Sequence, residues 1–378
     1  MKTKAAVLWG PHEDWKIEEV ELGDPVAGEV QVRLAASGLC HSDEHVRVGD
    51  LPMVEPGAFP FIGGHEGAGI VVKVGAGVSS LKEGDHVVLG FLPSCGRCPS
   101  CATGHQNLCD LGAALLTGRA IADGTNRIHV NGQPASPMCL LGTFSPYVTV
   151  HESAAIKILE DIPLDKAALV GCGVTTGWGS SVYSADVRPG ETVVVMGCGG
   201  IGQNVVQGAR MAGARYIVAV DPVAFKRDFA KTMGATHAFA SMAEAMESVA
   251  EITWGAMADK VIISVGRMRG EYVEEALQMT KKGGTAVVTG MGSLTETDVQ
   301  LNLFMLTMMQ KRLQGAIFGS ANPRYDIPNL LRHYMEGTLK LDELVTRTYT
   351  LEDINQGYAD MNAGTNIRGV VLFGEDDY

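Results

Sequence analysis

The stretch that decides the fold is VVVMGCGGIGQNVVQGARMAGARYIVAVD, residues Val193–Asp221. An apolar run rich in β-branched residues leads into a glycine-rich turn, a segment typical of a helix follows, and a second apolar run ends in an acid. Gly197 permits a tight turn, Gly199 lets the backbone approach a pyrophosphate, and Gly202 permits close helix–strand packing. This order of parts predicts a dinucleotide-binding unit, with the phosphates at the N-terminus of the helix.

The acid that ends this stretch indicates which dinucleotide is bound. Asp221 lies 19 residues after Gly202, where a carboxylate can accept hydrogen bonds from both ribose hydroxyls. The same carboxylate would repel a 2′-phosphate, so the sequence favours NAD(H) over NADP(H). Glycine-rich turns also occur in α/β proteins that bind no nucleotide, and that alternative stays open at this point.

Composition narrows the class of protein. The 378 residues exceed one typical core, so two domains are expected, and 46% hydrophobic and 19% charged residues are ordinary for a globular protein. A net charge of −13 argues against a nucleic-acid or anionic-membrane surface. The first ten residues do not resemble a secretion signal, and no apolar run reaches membrane-spanning length, so a cytoplasmic protein is expected.

The pattern of predicted secondary structure changes at about residue 174. Before that point, short β-rich runs such as Val30–Ala36 and Gly69–Val74 alternate with turn residues. After it, apolar runs alternate with helical segments such as Gln203–Ala212, which predicts a doubly wound parallel sheet. The candidate strands of this part are Thr192–Met196, Tyr216–Val220, His237–Phe239, Lys260–Ser264, Thr285–Thr289 and Leu313–Phe318.

Four closely spaced cysteines predict a structural metal site. Cys95, Cys98, Cys101 and Cys109 lie in the loop-like segment CGRCPSCATGHQNLC. Four thiolates from one loop can complete a tetrahedral shell around Zn²⁺ with no open position. The alternatives are disulfides, which a cytosolic chain disfavours, and an iron–sulfur cluster.

Three dispersed residues suggest a second metal site. Cys40 lies in GLCHSDEH, His65 in GGHEGAG and Cys172 in GCGVTTG. Taken alone, each has an ordinary structural explanation, since a lone cysteine is usually a small hydrophobe. Together, two thiolates and an imidazole match the ligand set of the catalytic zinc in alcohol dehydrogenase, which leaves one position open.

At this point the sequence resembles the zinc-dependent alcohol dehydrogenases of the medium-chain dehydrogenase/reductase family over essentially its whole length. The motifs that carry the resemblance are GLCHSDEH, GGHEGAGIVVKVG, GDHVV, CGRCPSCATGHQNLC, GTFSPY, GCGVTTGWG, GCGGIGQNVV, VDPVAFK, GAIFG and NIRG. The resemblance implies an α/β plus β protein, with a GroES-like catalytic domain formed by residues 1–173 and 317–378. That domain would hold two zinc ions, and residues 174–316 would form an inserted six-stranded Rossmann domain.

The segment FLPSCGRCPSCATGHQNLCDLGA resembles a subgroup of the family, the actinobacterial nicotinoproteins. In that subgroup NAD(H) stays bound through turnover, and an external acceptor such as N,N-dimethyl-4-nitrosoaniline (NDMA) reoxidises it. The alternatives are an ordinary NAD-exchanging alcohol dehydrogenase, a glutathione-dependent formaldehyde dehydrogenase and a non-enzymatic NAD- or zinc-binding protein. The segment LGAALLT, residues 111–117, offers no basic anchor for a glutathione adduct.

The resemblance also implies roles at the catalytic zinc. Hydride would pass from a primary or secondary alcohol to NAD, giving an aldehyde or ketone. Ser42 would accept the proton from the alcohol, and His45 would release it to solvent, since imidazole titrates near neutrality. Asp43 would orient the histidine ligand, and Glu66 would be a carboxylate near the metal.

For the cofactor, the resemblance places Thr176 near the nicotinamide, Ile201 behind its ring, Lys226 near the adenosine ribose and Arg368 at the pyrophosphate. Phe91 is a candidate wall of the alcohol pocket. The family is oligomeric, and the apolar run Leu301–Met309 is a candidate interface between copies of the chain. The full set of predicted cofactor residues is Thr176, Gly197, Gly199, Gly200, Ile201, Gly202, Asp221, Lys226 and Arg368.

Overall fold

A computed structural model describes residues 1–51, 58–115, 117–293 and 297–378. Leu116, in the segment that lacks a basic anchor, lies outside the described residues. The chain forms two compact units, of which the first comprises Met1–Cys172 with Asn322–Tyr378 and the second comprises Gly173–Ala321. The second boundary thus lies five residues later than the sequence analysis placed it.

The elements follow in chain order. Within the described ranges, the strands are β1 (Lys2–Leu8), β2 (Lys16–Leu22), β3 (Glu29–Gly38), β4 (Phe61–Ile62), β5 (Gly67–Val74), β6 (His86–Leu89), β7 (Ile128–Val130), β8 (Gln133–Pro137), β9 (Tyr147–His151), β10 (Ala155–Lys157), β11 (Thr192–Met196), β12 (Tyr216–Val220), β13 (His237–Phe239), β14 (Ala258–Ile263), β15 (Thr280–Val288), β16 (Arg312–Gly315), β17 (Val345–Tyr349) and β18 (Arg368–Leu372). The α-helices in the same ranges are α1 (His41–Arg47), α2 (Pro99–Ala102), α3 (Leu164–Ala167), α4 (Gly173–Gly179), α5 (Gly200–Met211), α6 (Ala224–Met233), α7 (Met242–Ile252), α8 (Gly270–Met279), α9 (Leu303–Met308), α10 (Pro323–Met335) and α11 (Ile354–Asn362).

The second unit contains the predicted parallel sheet. As far as the structure describes it, the sheet has six strands in the order β13-β12-β11-β14-β15-β16, and all of its ladders are parallel. This is the strand order of a dinucleotide-binding Rossmann fold. Strand β11 is buried along its whole length, as expected for a central strand covered on both faces. The predicted six-stranded doubly wound sheet is therefore confirmed.

The last strand of this sheet is shorter than predicted. The apolar run of the sequence predicts a strand from Leu313 to Phe318, whereas β16 ends at Gly315. Phe318, Gly319 and Ser320 have φ values of 53°, 61° and 59°, which are incompatible with a continuing strand. The apolar pattern alone therefore predicted a strand that is too long.

The first unit is β-rich, as the first 170 residues predict. Its described strands form a closed barrel, β1-β2-β7-β8-β4, and a sheet in the order β10-β6-β5-β3-β18-β17, with β9 also paired to β3. Strand β18, from the C-terminal end of the chain, pairs antiparallel with β3. The two ends of the chain thus form one unit. No helix in the described residues combines the length and the apolar character needed to span a bilayer.

Candidate active site

Four buried side chains of the first unit converge on one point. They are Cys40, His65, Glu66 and Cys172, and their ligand atoms all lie within 4.8 Å of one another. Cys40 stands at the N-terminus of α1, and Cys172 follows the short helical turn Ala168–Gly171. The fold therefore brings together the three predicted zinc ligands and the carboxylate of Glu66, which the resemblance placed near the metal.

Glycines allow these segments to approach so closely. A Cβ atom on Gly171 would lie 2.3 Å from the carbonyl oxygen of Leu89, so only glycine lets the chain before Cys172 approach β6. Gly64 has φ +88°, and a Cβ there would lie 2.5 Å from Oγ1 of Thr143. The backbone before His65 is thus compatible with glycine and with little else.

A carboxylate and an aromatic ring surround the imidazole of His65. Oδ2 of Asp43 lies 3.0 Å from Nδ1 of His65, and Oδ1 of Asp43 accepts a hydrogen bond of 2.7 Å from the backbone N–H of Gly64. The ring of Phe91 meets the imidazole edge to face, with centroids 5.8 Å apart. Asp43 occupies Nδ1, so Nε2 is the nitrogen available to a metal.

Glu66 is held by a buried guanidinium. Nη2 of Arg368 donates to Oε2 of Glu66 and, at 3.0 Å, to the carbonyl oxygen of Leu39. Burial raises the pKa of Glu66 to about 7, although the positive charge of Arg368 opposes the shift. The resemblance placed Arg368 at the pyrophosphate, and that role stays a prediction.

The charges of the cluster favour a cation. The hydrogen bond from Cys172 is the main cause that lowers the pKa of Cys40 well below its usual value, and the same bond raises the pKa of Cys172. Burial alone would lower the pKa of His65, but the negative charges of Asp43 and Cys40 raise it. The cluster thus combines two buried thiols, an imidazole and a carboxylate, and such groups bind a metal ion in their deprotonated forms.

The predicted proton carriers lie on α1, beside this cluster. Oγ of Ser42 is 3.6 Å from Sγ of Cys40, and His45 follows one helical turn later. Nδ1 of His45 lies 3.3 Å from Oδ2 of Asp50, a carboxylate that the sequence analysis did not identify. The available signal in the sequence was that Asp50 lies five residues after His45. The sequence pattern did not show that α1 ends at Arg47, so that the following chain can bring Asp50 back to the imidazole of His45.

The four cysteines of the loop form a second cluster of ligand atoms within 4.8 Å of one another. Sγ of Cys95 is 4.0 Å from Sγ of Cys101, and Sγ of Cys98 is 3.9 Å from Sγ of Cys109. Tetrahedral Zn–S bonds of about 2.3 Å place two sulfurs about 3.8 Å apart. The observed spacing fits one ion, whereas the sulfurs of a disulfide are only about 2.05 Å apart.

Backbone N–H groups of the loop point at these sulfurs. Sγ of Cys95 accepts from the N–H groups of Arg97 and Cys98, at 3.5 and 3.3 Å. Sγ of Cys98 accepts from the N–H groups of Cys101 and Asp110, at 3.4 and 3.5 Å. The bond from Arg97 is the main cause that lowers the pKa of Cys95 to about 6. Such donors stabilise thiolates, which are the form that binds zinc.

The glycine turn of the second unit has the geometry that a pyrophosphate needs. Gly197 has φ +91°, and a Cβ on Gly202 would lie 1.9 Å from the carbonyl oxygen of Gly197. A Cβ on Gly199 would meet no atom within 4 Å, so this position opens on free space at the N-terminus of α5. The first and third glycines are therefore required by the turn and the packing, and the second leaves room for a ligand.

The other predicted cofactor residues of this unit lie around the same turn or in α4. Asp221 is buried at the end of β12 and accepts from the N–H groups of Cys198 and Val223, at 2.8 and 2.9 Å. Gly200 and Ile201 begin α5, and Lys226 lies in α6. Thr176 lies in α4, and its buried hydroxyl oxygen has no hydrogen-bond partner among the described residues.

Comparisons with known proteins match most of the chain. The family model "Alcohol dehydrogenase GroES-like domain" matches residues 26–160, and "Zinc-binding dehydrogenase" matches residues 200–336. Alcohol dehydrogenase B of Mycobacterium tuberculosis is 54% identical over 377 residues, and NDMA-dependent alcohol dehydrogenase of Amycolatopsis methanolica is 51% identical over 376 residues. Each alignment covers 100% of both chains.

Among solved structures, an alcohol dehydrogenase zinc-binding domain protein from Burkholderia ambifaria superposes with a TM-score of 0.91 at 34% identity. The match covers 99% of this chain and 100% of the other. Likeness of this extent confirms the expected GroES-like and Rossmann-like folds. The chain therefore belongs to the zinc-dependent medium-chain alcohol dehydrogenases, and it is an enzyme that uses zinc and NAD(H).

Proposed function

We propose that the first unit is the catalytic domain of this alcohol dehydrogenase and that the second unit binds NAD(H). The observation that carries the proposal is the buried donor set of Cys40, His65 and Cys172, whose ligand atoms lie within 4.8 Å of one another and of a carboxylate oxygen of Glu66. Two thiolates and an imidazole are a zinc-type set that leaves one coordination position for substrate. The loop cysteines supply a closed set of four thiolates, so we assign them to a structural zinc ion.

When bound, zinc supplies a Lewis acid that polarises an alcohol hydroxyl, and NAD supplies the hydride acceptor. The protein groups move the proton. Ser42 lies beside Cys40 and takes the proton of the alcohol, and His45, one turn further along α1, passes it towards solvent. Asp50 orients the imidazole of His45 through its contact at Nδ1. Asp43 does the same for His65, the metal ligand.

The substrates of this proposal are primary or secondary alcohols, and the cofactor remains bound through turnover. Support for bound NAD(H) comes from the likeness to the NDMA-dependent enzyme of Amycolatopsis methanolica along the full chain. Asp221, buried at the end of β12, favours NAD(H) because a 2′-phosphate would meet its carboxylate. An external acceptor would reoxidise the bound cofactor.

Cofactor retention tests this proposal most directly. Protein purified by gel filtration should keep the absorbance of NAD(H) and oxidise alcohols with NDMA as acceptor and no added NAD. Empty protein that reduces added NAD would point instead to an ordinary NAD-exchanging enzyme. Faster turnover of S-hydroxymethylglutathione than of simple alcohols would favour the glutathione-dependent alternative.

We also propose that a second copy of the chain covers the outer edge of the six-stranded sheet. Helix α9, which lies wholly within the described range 297–378, has no buried residue although its sequence is LFMLTM. Leu303, Phe304 and Met308 are 66%, 69% and 63% exposed. Strand β16 next to it in the chain is also exposed throughout and is the last strand of the sheet as described. An apolar helix and a free strand edge are together suited to a two-fold interface.

Phe304→Asp should therefore convert the oligomer to monomer, as measured by sedimentation. Phe225→Asp is the matched control, because Phe225 is also exposed, at 44%, but lies on α6 of the same unit. The control should keep the native assembly. Equal masses for the wild type and the Phe304 variant would refute this interface.

A further inference from the structure

Two side chains hold the backbone of Cys198, the residue between the first two glycines of the turn. The N–H of Cys198 donates to Oδ2 of Asp221, at 2.8 Å. The carbonyl oxygen of Cys198 accepts from Nε2 of Gln203, at 2.7 Å. Because a trans peptide is planar, holding that carbonyl also fixes the direction of the N–H of Gly199. The backbone that leads into the open position at Gly199 is thus held on both sides of Cys198.

The amide of Gln203 also reaches a second segment of the same unit. Its Nε2 donates to the carbonyl oxygen of Lys226, at 3.0 Å, near the start of α6. Helix α6 begins three residues after Asp221. One side chain therefore joins the glycine turn, which is predicted to take the pyrophosphate, to the segment from Asp221 to Lys226, which is predicted to take the adenosine ribose.

The chemistry of these contacts requires an amide. Gln203 lies in the first turn of α5 and is fully buried. Both of its partners are carbonyl oxygens, so an uncharged side chain that serves them together must carry an NH2 group. The oxygen of the Gln203 amide has no hydrogen-bond partner among the described residues, so the hydrogen bonds of this side chain are those of its NH2 group.

We propose that Gln203 is a positioning residue for the bound dinucleotide. By holding the carbonyl oxygens of Cys198 and Lys226, it keeps the two walls of the cofactor site at a fixed separation, and this preorganisation slows the release of NAD(H). The inference rests on the proposal that the second unit binds NAD(H), and it assigns part of the cofactor retention to one buried side chain.

Gln203→Met tests the two hydrogen bonds with little change in length. We expect the variant to bind NADH about tenfold more weakly than the wild type, as for the loss of one or two buried hydrogen bonds, and to release it correspondingly faster. NADH fluorescence measures the affinity, and a chase with excess NAD⁺ measures the release rate. Wild-type affinity and release rate in the folded variant would overturn the proposal.

Gln207→Met is the matched control. Gln207 lies one turn later on the same helix and is equally buried, but its Nε2 donates to Oδ1 of Asn204, at 3.1 Å, which is also on α5. This variant should bind and release NADH as the wild type does, whatever its unfolding temperature. Equal losses of NADH affinity in the two variants would reduce Gln203 to a general packing role and contradict the proposal.

Gln203→Asn provides a second test if the methionine variant does not fold. Asparagine keeps a polar amide in the buried site, but it is one methylene shorter and cannot keep both contacts at their present distances. We expect NADH affinity between those of the wild type and the control on one side and a tenfold loss on the other. Affinity equal to that of the wild type would overturn the proposal.

The wild-type protein separates this inference from the function on which it rests. Wild-type protein that exchanges its cofactor rapidly would refute cofactor retention, whereas weaker NADH binding by Gln203→Met would still support the positioning role. Wild-type protein that retains NADH, together with an equally retentive Gln203→Met variant, would refute only the positioning role.

Discussion

The two cysteine-containing clusters of the first unit bring their metal-ligating side chains together in different ways. The loop cluster takes all four ligands from the 15 residues between Cys95 and Cys109, and backbone N–H groups of that segment stabilise its sulfurs. The buried cluster takes its ligands from segments as distant as Cys40 and Cys172, which are 132 residues apart. Two further charged side chains contact its ligands: Asp43, from the helix that begins at Cys40, and Arg368, from β18.

A metal site made by one loop and a metal site made by distant segments are suited to different functions. A closed shell made by one loop can bind zinc with little help from the rest of the fold, and it stabilises that fold in return. A site with an open position must keep its ligands in place while substrate exchanges, so it needs rigid support from several elements. Local ligands are therefore suited to the structural ion, and dispersed ligands to the catalytic one.

The largest expected effect is on catalysis. Cys40→Ser should lose one of the two zinc ions and lower kcat/KM for alcohol oxidation by about 10³-fold or more, because a Lewis acid contributes several kcal/mol to the transition state. Metal analysis and steady-state kinetics measure both. Cys139→Ser is the control, since Cys139 lies in the same unit but in neither cluster. Substantial activity in the Cys40 variant would remove this site from the mechanism.

The loop site should instead affect stability. Cys98→Ser should release the loop zinc and lower the free energy of unfolding by several kcal/mol, with proteolysis starting between residues 95 and 109. The remaining folded protein should keep the buried zinc and nearly normal kcat. Chemical denaturation, limited proteolysis and metal analysis check these points. If kcat of the folded protein fell in proportion to the amount of loop zinc released, the assignment of the loop zinc as structural would be contradicted.

The support of His65 provides a smaller test. Asp43→Asn keeps the shape of the side chain but removes its charge, so zinc affinity at the buried site should fall about 10- to 100-fold. Asp50→Asn, which alters the partner of His45 rather than of His65, should leave zinc affinity unchanged. Competition with a chelator measures both variants. Equal affinities in the two would show that Asp43 does not support the ligand.

The smallest effect on metal binding is expected at Glu66. Three ligands suffice for an open zinc site, so Glu66→Gln should change zinc affinity by less than about tenfold. The variant should still be less stable, by about 3 kcal/mol, because Arg368 loses a buried ionic partner. If zinc is lost as completely as in Cys172→Ser, Glu66 is a fourth ligand and the site is closed at rest.

Sequence patterns predicted the parts of these sites whose meaning is local. The glycine turn, the parallel sheet around β11 and the cysteine loop follow from neighbouring residues with fixed spacing, and the structure has the turn and the sheet where they were expected. The predicted end of β16 was wrong because the positive φ values at residues 318–320 cannot be recognised from the hydrophobic pattern of the sequence. Asp50 was missed because its importance depends on where α1 ends.

By itself, then, the sequence predicted the fold class and a chelating loop, because short-range spacing controls turns, ladders and such loops. Its motifs carried the resemblance to the family, and that resemblance predicted the residues for the catalytic zinc and for NAD. Only the tertiary structure decided that Arg368 holds Glu66 and that Asp43 faces the imidazole of His65. These contacts join residues that are far apart in the chain. Their distances and burial arise from the packing of whole elements, which no local pattern records.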